Sequence, residues 1–536
     1  MAVRAPHLTL IRTHSPAGGP SAPPSEAPLY NGCAVKNRPM RNPSFLLLLG
    51  ALLVSGCAIH RTPDSVAPPV DMPVQFSQSG TASEPDRWWR SLDDPQLTTL
   101  VERALSENLT LQGAFARVEQ ARALATQASA DLWPRVEANA SAARGRDLIA
   151  LGPLGEIKTT QSQYTVGLSA SYEIDLWGRL RARSKAGQLS LRATREDADA
   201  AAISLAAAVG ETWYALVEQR AQLELIARQV ANSRSVLDLI DERFNQGQAN
   251  ALDVHQQRQQ LASVESQLPR IQAGVEVLEH ELAVLMGQPP RNAVAEVVAA
   301  LPDPPELPQA GLPADLLQRR PDVRAAHLRV LASDYRMAAA IADRLPALRL
   351  TGGSEYKSYN RFADVFDNWL WNIMGGLTAP VFEGGRLKAE VERNRAVTRE
   401  RMMDYGQAVL VAFREVEDAL TRERQQRLYL AALERESAQA TATLGQARNR
   451  YQNGLTDYIS VLTAIQSVQQ LDRTRLAARR ELLTFRIQLY RALGGAWPRE
   501  LNVAQPPPAA NGRQAVAPAQ HTASTDTLEV NVGREL

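Results

Sequence analysis

Cysteine, histidine, aromatic residues and net charge are all scarce in this sequence of 536 residues. Its two cysteines, Cys33 and Cys57, are too few for a disulfide framework. The 59 basic residues nearly balance the 58 acidic ones, and no basic stripe stands out, so we expect no nucleic-acid partner. Aromatic residues make up only 5% of the chain, whereas Ala, Leu, Gln, Arg and Glu dominate long stretches. This mixture favours long helices over a compact α/β enzyme.

Motifs of catalysis and metal binding are also missing from the sequence. The seven histidines are scattered, with no HExxH and no pair at metal-ligand spacing. No GxSxG, Walker-type loop or GxGxxG precedes a suitable helix. The dense carboxylates at 415–418 are surrounded by arginines, which is typical of a solvated helix face, and Met402-Met403 is interpreted as a packed helical pair. We therefore expect no enzyme, no metal and no cofactor beyond a covalent lipid.

Proline is absent from two long stretches, 154–268 and 381–497. Within them, 179–243 and 386–450 contain nothing that stops a helix except isolated glycines. At 1.5 Å per residue, about 64 helical residues reach roughly 95 Å. Helices of this length exceed the globular average, so the sequence predicts a coiled-coil-like or tubular assembly.

The N-terminal region carries an export signal. Met40-Arg41 begins a short basic segment, and an apolar run follows at 45–54. Together with the small residues before Cys57, this is typical of a secretory signal and too short to span a bilayer. The ending 53–57 resembles the bacterial lipobox, which predicts a diacylglyceryl group on Cys57 and stable anchoring by two or more acyl chains. An ordinary secretory signal is the alternative. Ala58, in place of a retaining Asp, favours delivery to the outer membrane.

An internal duplication organises most of the chain, with a period of roughly 210 residues that is much longer than solenoid repeats. Each copy contains a helix, a segment between prolines and glycines, a long proline-free run and a second helix. The Pro-rich stretch 301–308 reads as an extended connector between the copies. Five pairs of matching segments occur in the same order: 108–117 with 320–329, 131–134 with 343–346, 178–182 with 385–389, 243–247 with 450–454, and 285–287 with 492–494.

The segments between the helices have the pattern of membrane strands. In 164–174, apolar residues alternate with small or polar ones at period two, over about the length of a transmembrane β-strand. The duplicate at 369–381 and the upstream segment 136–142 alternate in the same way, and a fourth, less regular candidate lies near 347–358. Two soluble hairpins on a helical domain are the alternative, but the export signal favours membrane strands.

Four strands are too few to close a membrane barrel. Known membrane barrels need at least about eight strands, and an open edge in lipid would leave backbone groups unpaired. We therefore expect several chains to share one barrel.

Four segments, 88–97, 172–179, 379–387 and 489–497, carry motifs that resemble the TolC superfamily, and most closely the NodT-type outer-membrane lipoproteins of RND efflux systems. The resemblance extends from Cys57 to about Pro498. It implies a mainly α fold with a membrane β-barrel: a homotrimer whose shared twelve-stranded barrel continues as an α-helical tunnel through the periplasm. It also implies a periplasmic adaptor (membrane fusion) protein and an inner-membrane RND pump as partners, with this chain as a passive exit duct for small toxic compounds.

The resemblance further implies a gate, since the family's periplasmic end is closed by coiled helices with an aspartate ring near the turn of the second repeat. Ser460 and Thr463 stand where relatives often carry acids, so Asp457 or Asp253 is the candidate source of negative charge. A carboxylate ring would attract cations into a narrow pore. The alternative for Asp457 is an acid that stabilises a helix start through the helix dipole.

Glycine turns at Gly247 and Gly454 are the expected adaptor-docking tips. Two other functions stay open: a type I secretion duct for polypeptides, and a periplasmic adaptor or coiled-coil scaffold, although a scaffold should lack the two matched hairpins. The expected organisation is a signal region at 1–56 with Met40 as the start, a lipidated linker at 57–85, a first repeat at 86–300 with strands near 134–146 and 162–175, a second repeat at 301–503 with strands near 346–358 and 369–382, and a disordered tail at 504–536.

Overall fold

The computed structural model describes residues 60–79, 87–150, 156–290, 300–359 and 361–495. The expected signal region, Cys57 and the C-terminal tail lie outside these residues. Short 3-10 helices occur at Trp88–Leu92, Pro313–Asp315 and Phe362–Asp364. The α-helices and β-strands of the described residues are, in chain order, α1 Pro95–Glu107, α2 Leu109–Ala130, β1 Arg135–Ala150, β2 Glu156–Ile174, α3 Arg179–Asn245, α4 Ala251–Glu265, α5 Leu268–Leu285, α6 Leu316–Arg319, α7 Pro321–Ala342, β3 Ala347–Tyr359, β4 Trp369–Thr378, α8 Arg386–Gln452 and α9 Tyr458–Ala492.

The helices α3 and α8 are the longest elements, and each contains 67 residues. Both begin after a glycine with positive φ, Gly178 or Gly385, and both end before another, Gly247 or Gly454. At each end the glycine and the residue after it donate hydrogen bonds back to the last turn, as in a Schellman motif. At 1.5 Å per residue each helix is roughly 100 Å long. The long helices and the turns where the chain reverses agree with the sequence prediction.

The chain returns from the two tips in different ways. In the second repeat α9 is one helix of 35 residues, whereas in the first repeat the return is divided into α4 and α5. Pro269 lies in the first turn of α5, where its missing N–H costs no helical hydrogen bond. The break follows from this proline, because the same residue inside a continuous helix would remove a bond and clash with the preceding turn.

The largest apolar core joins α1, α2, α3 and the C-terminal part of α9. Trp88 stacks on Tyr490 with ring centroids 5.8 Å apart. Asp94 caps α1 by accepting hydrogen bonds from two backbone N–H groups, and its other oxygen accepts one of 2.8 Å from Trp213 Nε1 on α3. One polar residue therefore starts α1 and fixes it to the long helix.

Residues 60–79, named here the N-terminal strap, pack along α7 and α8. His60 Nε2 lies 3.0 Å from Asp334 Oδ1, and the backbone N–H of Val66 donates to His327 Nε2 at 3.3 Å. Phe76 makes an edge contact with Phe413 in the core between the strap and the helices. The strap thus contacts the second repeat through polar groups near its first residues and through the apolar side chain of Phe76 near its last.

The four strands form one antiparallel sheet in the order β1-β2-β3-β4. β1 and β2 run about four to six residues further into their hairpin than the sequence indicated, pairing as far as Ala150 with Glu156. The apolar alternation ends near Tyr164, but pairing continues because the ladder needs only backbone groups. β4 ends at Thr378 rather than near 382, since Pro380 has no N–H to donate.

Among the described residues, α3 alone is long and apolar enough to cross a membrane by length and composition. Most of the apolar stretch of α3 is buried inside the protein. The helix is therefore a core helix, and the sheet is the candidate for the membrane.

Candidate channel wall and periplasmic gate

The sheet has one apolar face. Residues that are paired across an antiparallel ladder lie on the same face, and every second residue along a strand returns to it. The side chains of Trp371, Ile373 and Leu377 on this face are 65%, 71% and 68% exposed in the single chain. Large apolar side chains in such exposure fit contact with lipid rather than water. The apolar residues of this face are Val136, Ala138, Ala140 and Ala142 of β1, Tyr164, Val166, Leu168, Ala170, Tyr172 and Ile174 of β2, Leu348, Leu350 and Tyr356 of β3, and Trp369, Trp371, Ile373 and Leu377 of β4.

The opposite, polar face carries mostly small, neutral polar and charged residues, and its large apolar residues are Leu370 and Met374 of β4. Its two arginines are paired: Arg135 Nε lies 2.6 Å from Glu137 Oε1, and Arg349 Nε lies 3.5 Å from Glu173 Oε2. Gly167 is required by space, because an added Cβ would lie 2.8 Å from the Cβ of its neighbour Glu355. The polar face comprises Arg135, Glu137, Asn139 and Ser141 of β1, Thr165, Gly167, Ser169, Ser171 and Glu173 of β2, Arg349, Thr351, Gly353, Glu355 and Lys357 of β3, and Leu370, Asn372 and Met374 of β4.

A group of aromatic side chains, named here the aromatic girdle, marks the end of the apolar face that is remote from the helices. Tyr164 packs on Phe362, and Tyr356 packs on Phe366, each with ring centroids 5.5 Å apart. Trp369 Nε1 donates a 2.6 Å hydrogen bond to a serine hydroxyl beside it. From Tyr164 in this girdle to Ile174, β2 advances by ten residues of about 3.4 Å each. At the usual strand tilt this length gives an apolar band roughly 25 Å tall. That height matches the apolar band of membrane barrels.

The strands meet the helices at a polar junction. Trp177 Nε1 donates a 2.7 Å hydrogen bond to the carbonyl of Pro346, which ties the end of β2 to the start of β3. Arg179 bridges Glu173 at 2.7 Å and Asp343 at 3.4 Å. Burial disfavours the charge of Arg179, but its bond to Glu173 and the nearby carboxylates outweigh burial and raise its pKa. The junction therefore holds the long helices at a fixed position against the sheet.

At the helical tips, the predicted gate residues of the second repeat share one exposed face. Asp457, Ser460 and Thr463 are spaced by three residues at the start of α9, and all three are exposed. Asp457 occupies the N-cap position but its side chain caps no backbone N–H. The hydroxyl of Thr463 is satisfied by the carbonyl of Ile459 at 2.9 Å. The carboxylate of Asp457 is thus available to solvent.

Asp253, the fourth candidate, has a different environment. It is buried and forms a capping box with Asn250: its N–H donates to Asn250 Oδ1 at 2.9 Å, and its Oδ2 accepts from the Asn250 N–H at 3.3 Å. The structure therefore brings three of the candidate gate residues to one face and places Asp253 in a helix cap. Their role in gating stays a prediction.

Sequence reasoning missed the contact that joins the two tips. The guanidinium of Arg243 lies over the Tyr451 ring at 5.0 Å, and Tyr451 packs on Tyr458 at 5.5 Å. The hydroxyl of Tyr458 donates a 2.6 Å hydrogen bond to Gln257 Oε1, and burial raises the pKa of Tyr458. The signal was present in the duplicated motifs at 243–247 and 450–454, where Tyr451 replaces the matching Phe244.

Sequence reasoning also missed a polar seam between α3, α4 and α9, because glutamines on a helix usually mark its solvated face. Here buried amides bridge the helices and satisfy backbone carbonyls, which fixes the register of the packed helices. The bonds are Gln222 Nε2 to the Arg473 carbonyl (2.9 Å), Gln229 Nε2 to the Gln469 carbonyl (3.3 Å), Gln257 Nε2 to the Ser233 carbonyl (2.7 Å) and Gln260 Nε2 to Gln469 Oε1 (3.0 Å).

No group of three or more His, Cys, Asp and Glu side chains that could hold a metal ion occurs within the described residues. The arrangement is that of a wall with a lipid-compatible side and a water-compatible side, continued by long helices.

Known proteins share this arrangement. The family model described as "Outer membrane efflux protein" matches residues 100–288 and 312–495. The pyoverdine export outer membrane protein OpmQ of Pseudomonas putida is 31% identical over 471 residues, 85% of this chain and 98% of that protein. The cation efflux system protein CusC of Escherichia coli is 28% identical over 454 residues, 83% and 97% of the two chains. The solved structure of the outer-membrane channel OprN has a TM-score of 0.75 at 29% identity and covers 82% of this chain and 100% of its own.

The family model spans both repeats, and the solved channels share the sheet and the long helices, which confirms the expected fold of a helical barrel with membrane strands. The chain therefore belongs to the outer membrane efflux protein family: it is an outer-membrane channel with helices in the periplasm, and not an enzyme.

Proposed function

We propose that this chain is the exit duct of a tripartite efflux system that expels small toxic molecules across the outer membrane. The observation that carries the proposal is a four-stranded sheet with one apolar and one polar face, whose strands β2 and β4 lead into the two 67-residue helices. Such a wall conducts passively, so the energy comes from an inner-membrane RND pump that is coupled through a periplasmic adaptor. Relatives named for export of pyoverdine, cations and toluene support a small-molecule cargo.

The test is drug susceptibility of a strain that lacks the protein, measured across dyes, detergents, antibiotics and metal ions. We expect sensitisation to at least one class, restored by the full chain but not by a chain without residues 164–174. If no compound sensitises and a polypeptide disappears from the medium instead, the duct serves secretion and the proposal fails.

The duct is a homotrimer in this proposal. β1 and β4 are the outer strands of the sheet, and each has a free edge within the described chain. Three copies would pair these edges into twelve strands; the number three comes from the family resemblance. The side chains of Val381 and Phe382, 97% and 89% exposed beside β4, are further surface for a neighbouring copy. Light scattering on the full chain in detergent should give three chains per particle, and a monomer or dimer would contradict this.

The chain is anchored by a lipid on Cys57 in this proposal. Support comes from the lipobox-like ending and from the relative described as "Probable outer membrane lipoprotein SilC", 27% identical over 465 residues. Replacing Cys57 by Ala should abolish labelling by a fatty-acid probe. Persistent labelling would contradict the anchor.

The periplasmic gate is a ring of Asp457 carboxylates, one from each copy, flanked by Ser460 and Thr463. The exposure of all three residues supports this assignment, and the capping role of Asp253 argues against that residue. The turns at Gly247 and Gly454 are the docking tips for the adaptor. In planar bilayers, Asp457→Lys should weaken block by multivalent cations, whereas Asp253→Lys should lower stability instead. Unchanged block in Asp457→Lys would contradict the gate.

A further inference from the structure

We propose that the outward surface of the β1–β2 hairpin binds the phosphate groups of anionic glycolipid in the outer leaflet of the outer membrane. The surface consists of Arg144, Arg146 and Lys158 and is named here the cationic ledge. The inference rests on the outer-membrane location and on the orientation of the sheet, with the hairpins away from the periplasmic helices.

The strand register places the three cations on the lipid side. Ala142 pairs with Tyr164 on the apolar face, and the next three pairs on the same face are Arg144 with Ser162, Arg146 with Thr160, and Leu148 with Lys158. Because alternate residues of a paired strand share one face, the ledge continues the apolar face beyond Ala142 and Tyr164, away from the helices. A slip of one residue would turn all three cations towards the lumen, but the register is fixed by the whole ladder.

The depth of the ledge matches the level of lipid headgroups. Tyr164 and its partner Phe362 belong to the aromatic girdle, and such girdles lie at the boundary between hydrocarbon and headgroups. Arg144 is two residues beyond Ala142, about 7 Å along the strand. The cations therefore lie just outside the hydrocarbon, where phosphate groups of the outer leaflet are found.

The ledge carries charge that has no ion-pair partner among the residues that the structure describes. Arg144, Arg146 and Lys158 are exposed, and they form no ion pair with any residue that the structure describes. From the Arg144 pair to the Lys158 pair the outward face has three cations and no carboxylate. The two arginines of the polar face differ, since Arg135 and Arg349 each pair with a glutamate. Unpaired guanidinium groups at this depth are suited to bidentate binding of phosphate.

The second hairpin has no such surface in its described residues. β3 ends at Tyr359, and after it Arg361 pairs with Asp364 at 3.7 Å within the same loop. The ledge thus gives a role to the additional length of β1 and β2, which lies beyond the band that the lipid tails require.

The test uses the full chain purified in mild detergent and lipid A that carries both phosphates. The lipid concentration that gives half of the maximal rise in thermal unfolding temperature is measured for the wild type and for the variant Arg144→Gln/Arg146→Gln/Lys158→Gln. We expect the variant to need at least about tenfold more lipid. The matched control, Lys185→Gln/Arg192→Gln/Arg195→Gln, removes three exposed cations from periplasmic α3 and should behave as the wild type. Equal half-maximal concentrations for wild type and ledge variant would overturn the proposal.

Two further ligands identify the source of the phosphate. Lipid A without phosphates should stabilise the wild type no better than it stabilises the ledge variant. Inorganic phosphate alone should give no shift; a shift as large as that with lipid A would make the ledge a site for free anions and overturn the lipid assignment. The ledge variant should still restore drug resistance to the deletion strain. If the wild type itself restores none, the proposed efflux function fails and the lipid result stands separately.

Discussion

The first repeat and the second repeat have long helices of equal length, 67 residues each, but hairpins of unequal length. β1 and β2 contain 16 and 19 residues, whereas β3 and β4 contain 13 and 10. Helices that stand side by side in one tube must begin and end at the same levels, so their lengths are constrained together. A hairpin is constrained only across the apolar band, and beyond the band its length is free to serve another role.

The interiors of the repeats differ more than their outlines. Glu423 of α8 is buried against Arg486, which is fully buried and also donates to two carbonyls of the connector. The duplicated motifs align Glu423 with Leu216 of α3, which is buried in the apolar core. The second repeat therefore has a buried ion pair where the first has packed hydrocarbon.

The largest effect is expected from a substitution that breaks this ion pair. Glu423→Ala leaves the guanidinium of Arg486 buried without its carboxylate and should lower the free energy of unfolding by about 3–5 kcal/mol. The midpoint of chemical denaturation of the full chain in detergent measures the loss. Glu423→Leu combined with Arg486→Leu imitates the apolar interior of the first repeat and should recover much of it. If the single and double variants are equally unstable, the unpaired charge is not the cause.

The next effect compares the two faces of the wall. Gly167→Ala should cost about 1–3 kcal/mol, because its Cβ would overlap Glu355 and the chain must shift. Gly375→Ala is the control, since nothing lies within 4 Å of its added Cβ. The yield of heat-stable oligomer from outer membranes measures both. Equal yields would contradict the close packing of β2 on β3.

A third prediction compares the helix starts at the two tips. The repeats align Asn250 with Asp457 and Asp253 with Ser460, so the acid sits inside a capping box in one repeat and at an uncapped position in the other. Asn250→Ala removes a cap and should cost about 1 kcal/mol. Asp457→Ala should leave the denaturation midpoint nearly unchanged while it reduces cation block in planar bilayers. A loss of stability in Asp457→Ala as large as that in Asn250→Ala would return Asp457 to a structural role.

The smallest effect depends on pH and concerns the strap. Burial lowers the pKa of His327, whose neutral Nε2 accepts the Val66 N–H. As pH falls below the ordinary histidine value of about 6.5, His327 binds a proton more readily when the strap is undocked than when it is docked, so docking weakens. Proteolysis of the strap should be faster at pH 5.5 than at pH 7.5, and His327→Phe should remove the difference. The aligned residue of the first repeat is Phe115. If the pH dependence persists in His327→Phe, a group other than His327 causes it.

The sequence predicted the features that depend on local pattern. Proline-free runs predicted α3 and α8, duplicated glycines predicted their turns, and period-two alternation predicted the faces of the sheet. The ends of the strands were less certain, because backbone pairing beyond Tyr164 leaves no hydrophobic signal.

Features that depend on contacts between distant segments were missed. The Glu423–Arg486 pair joins residues 63 positions apart, and the glutamine seam joins α3 to α9 across about half the chain. Each residue alone has the character of a solvated helix surface, and only the packing of the helices buries it. For the same reason sequence spacing did not separate Asp253, which is buried in a cap, from Asp457, which is exposed.

In the assembled channel, the polar face of the sheet lines a water-filled duct and the apolar face contacts lipid. Adjacent residues of β1 test it directly: Asn139 lies on the polar face and Ala138 on the apolar face. Single-channel current is recorded in planar bilayers before and after addition of a bulky, charged thiol reagent to Asn139→Cys and Ala138→Cys. The current should fall stepwise for Asn139→Cys and should not change for Ala138→Cys. A fall in current for Ala138→Cys, or none for Asn139→Cys, would contradict this assignment of the two faces.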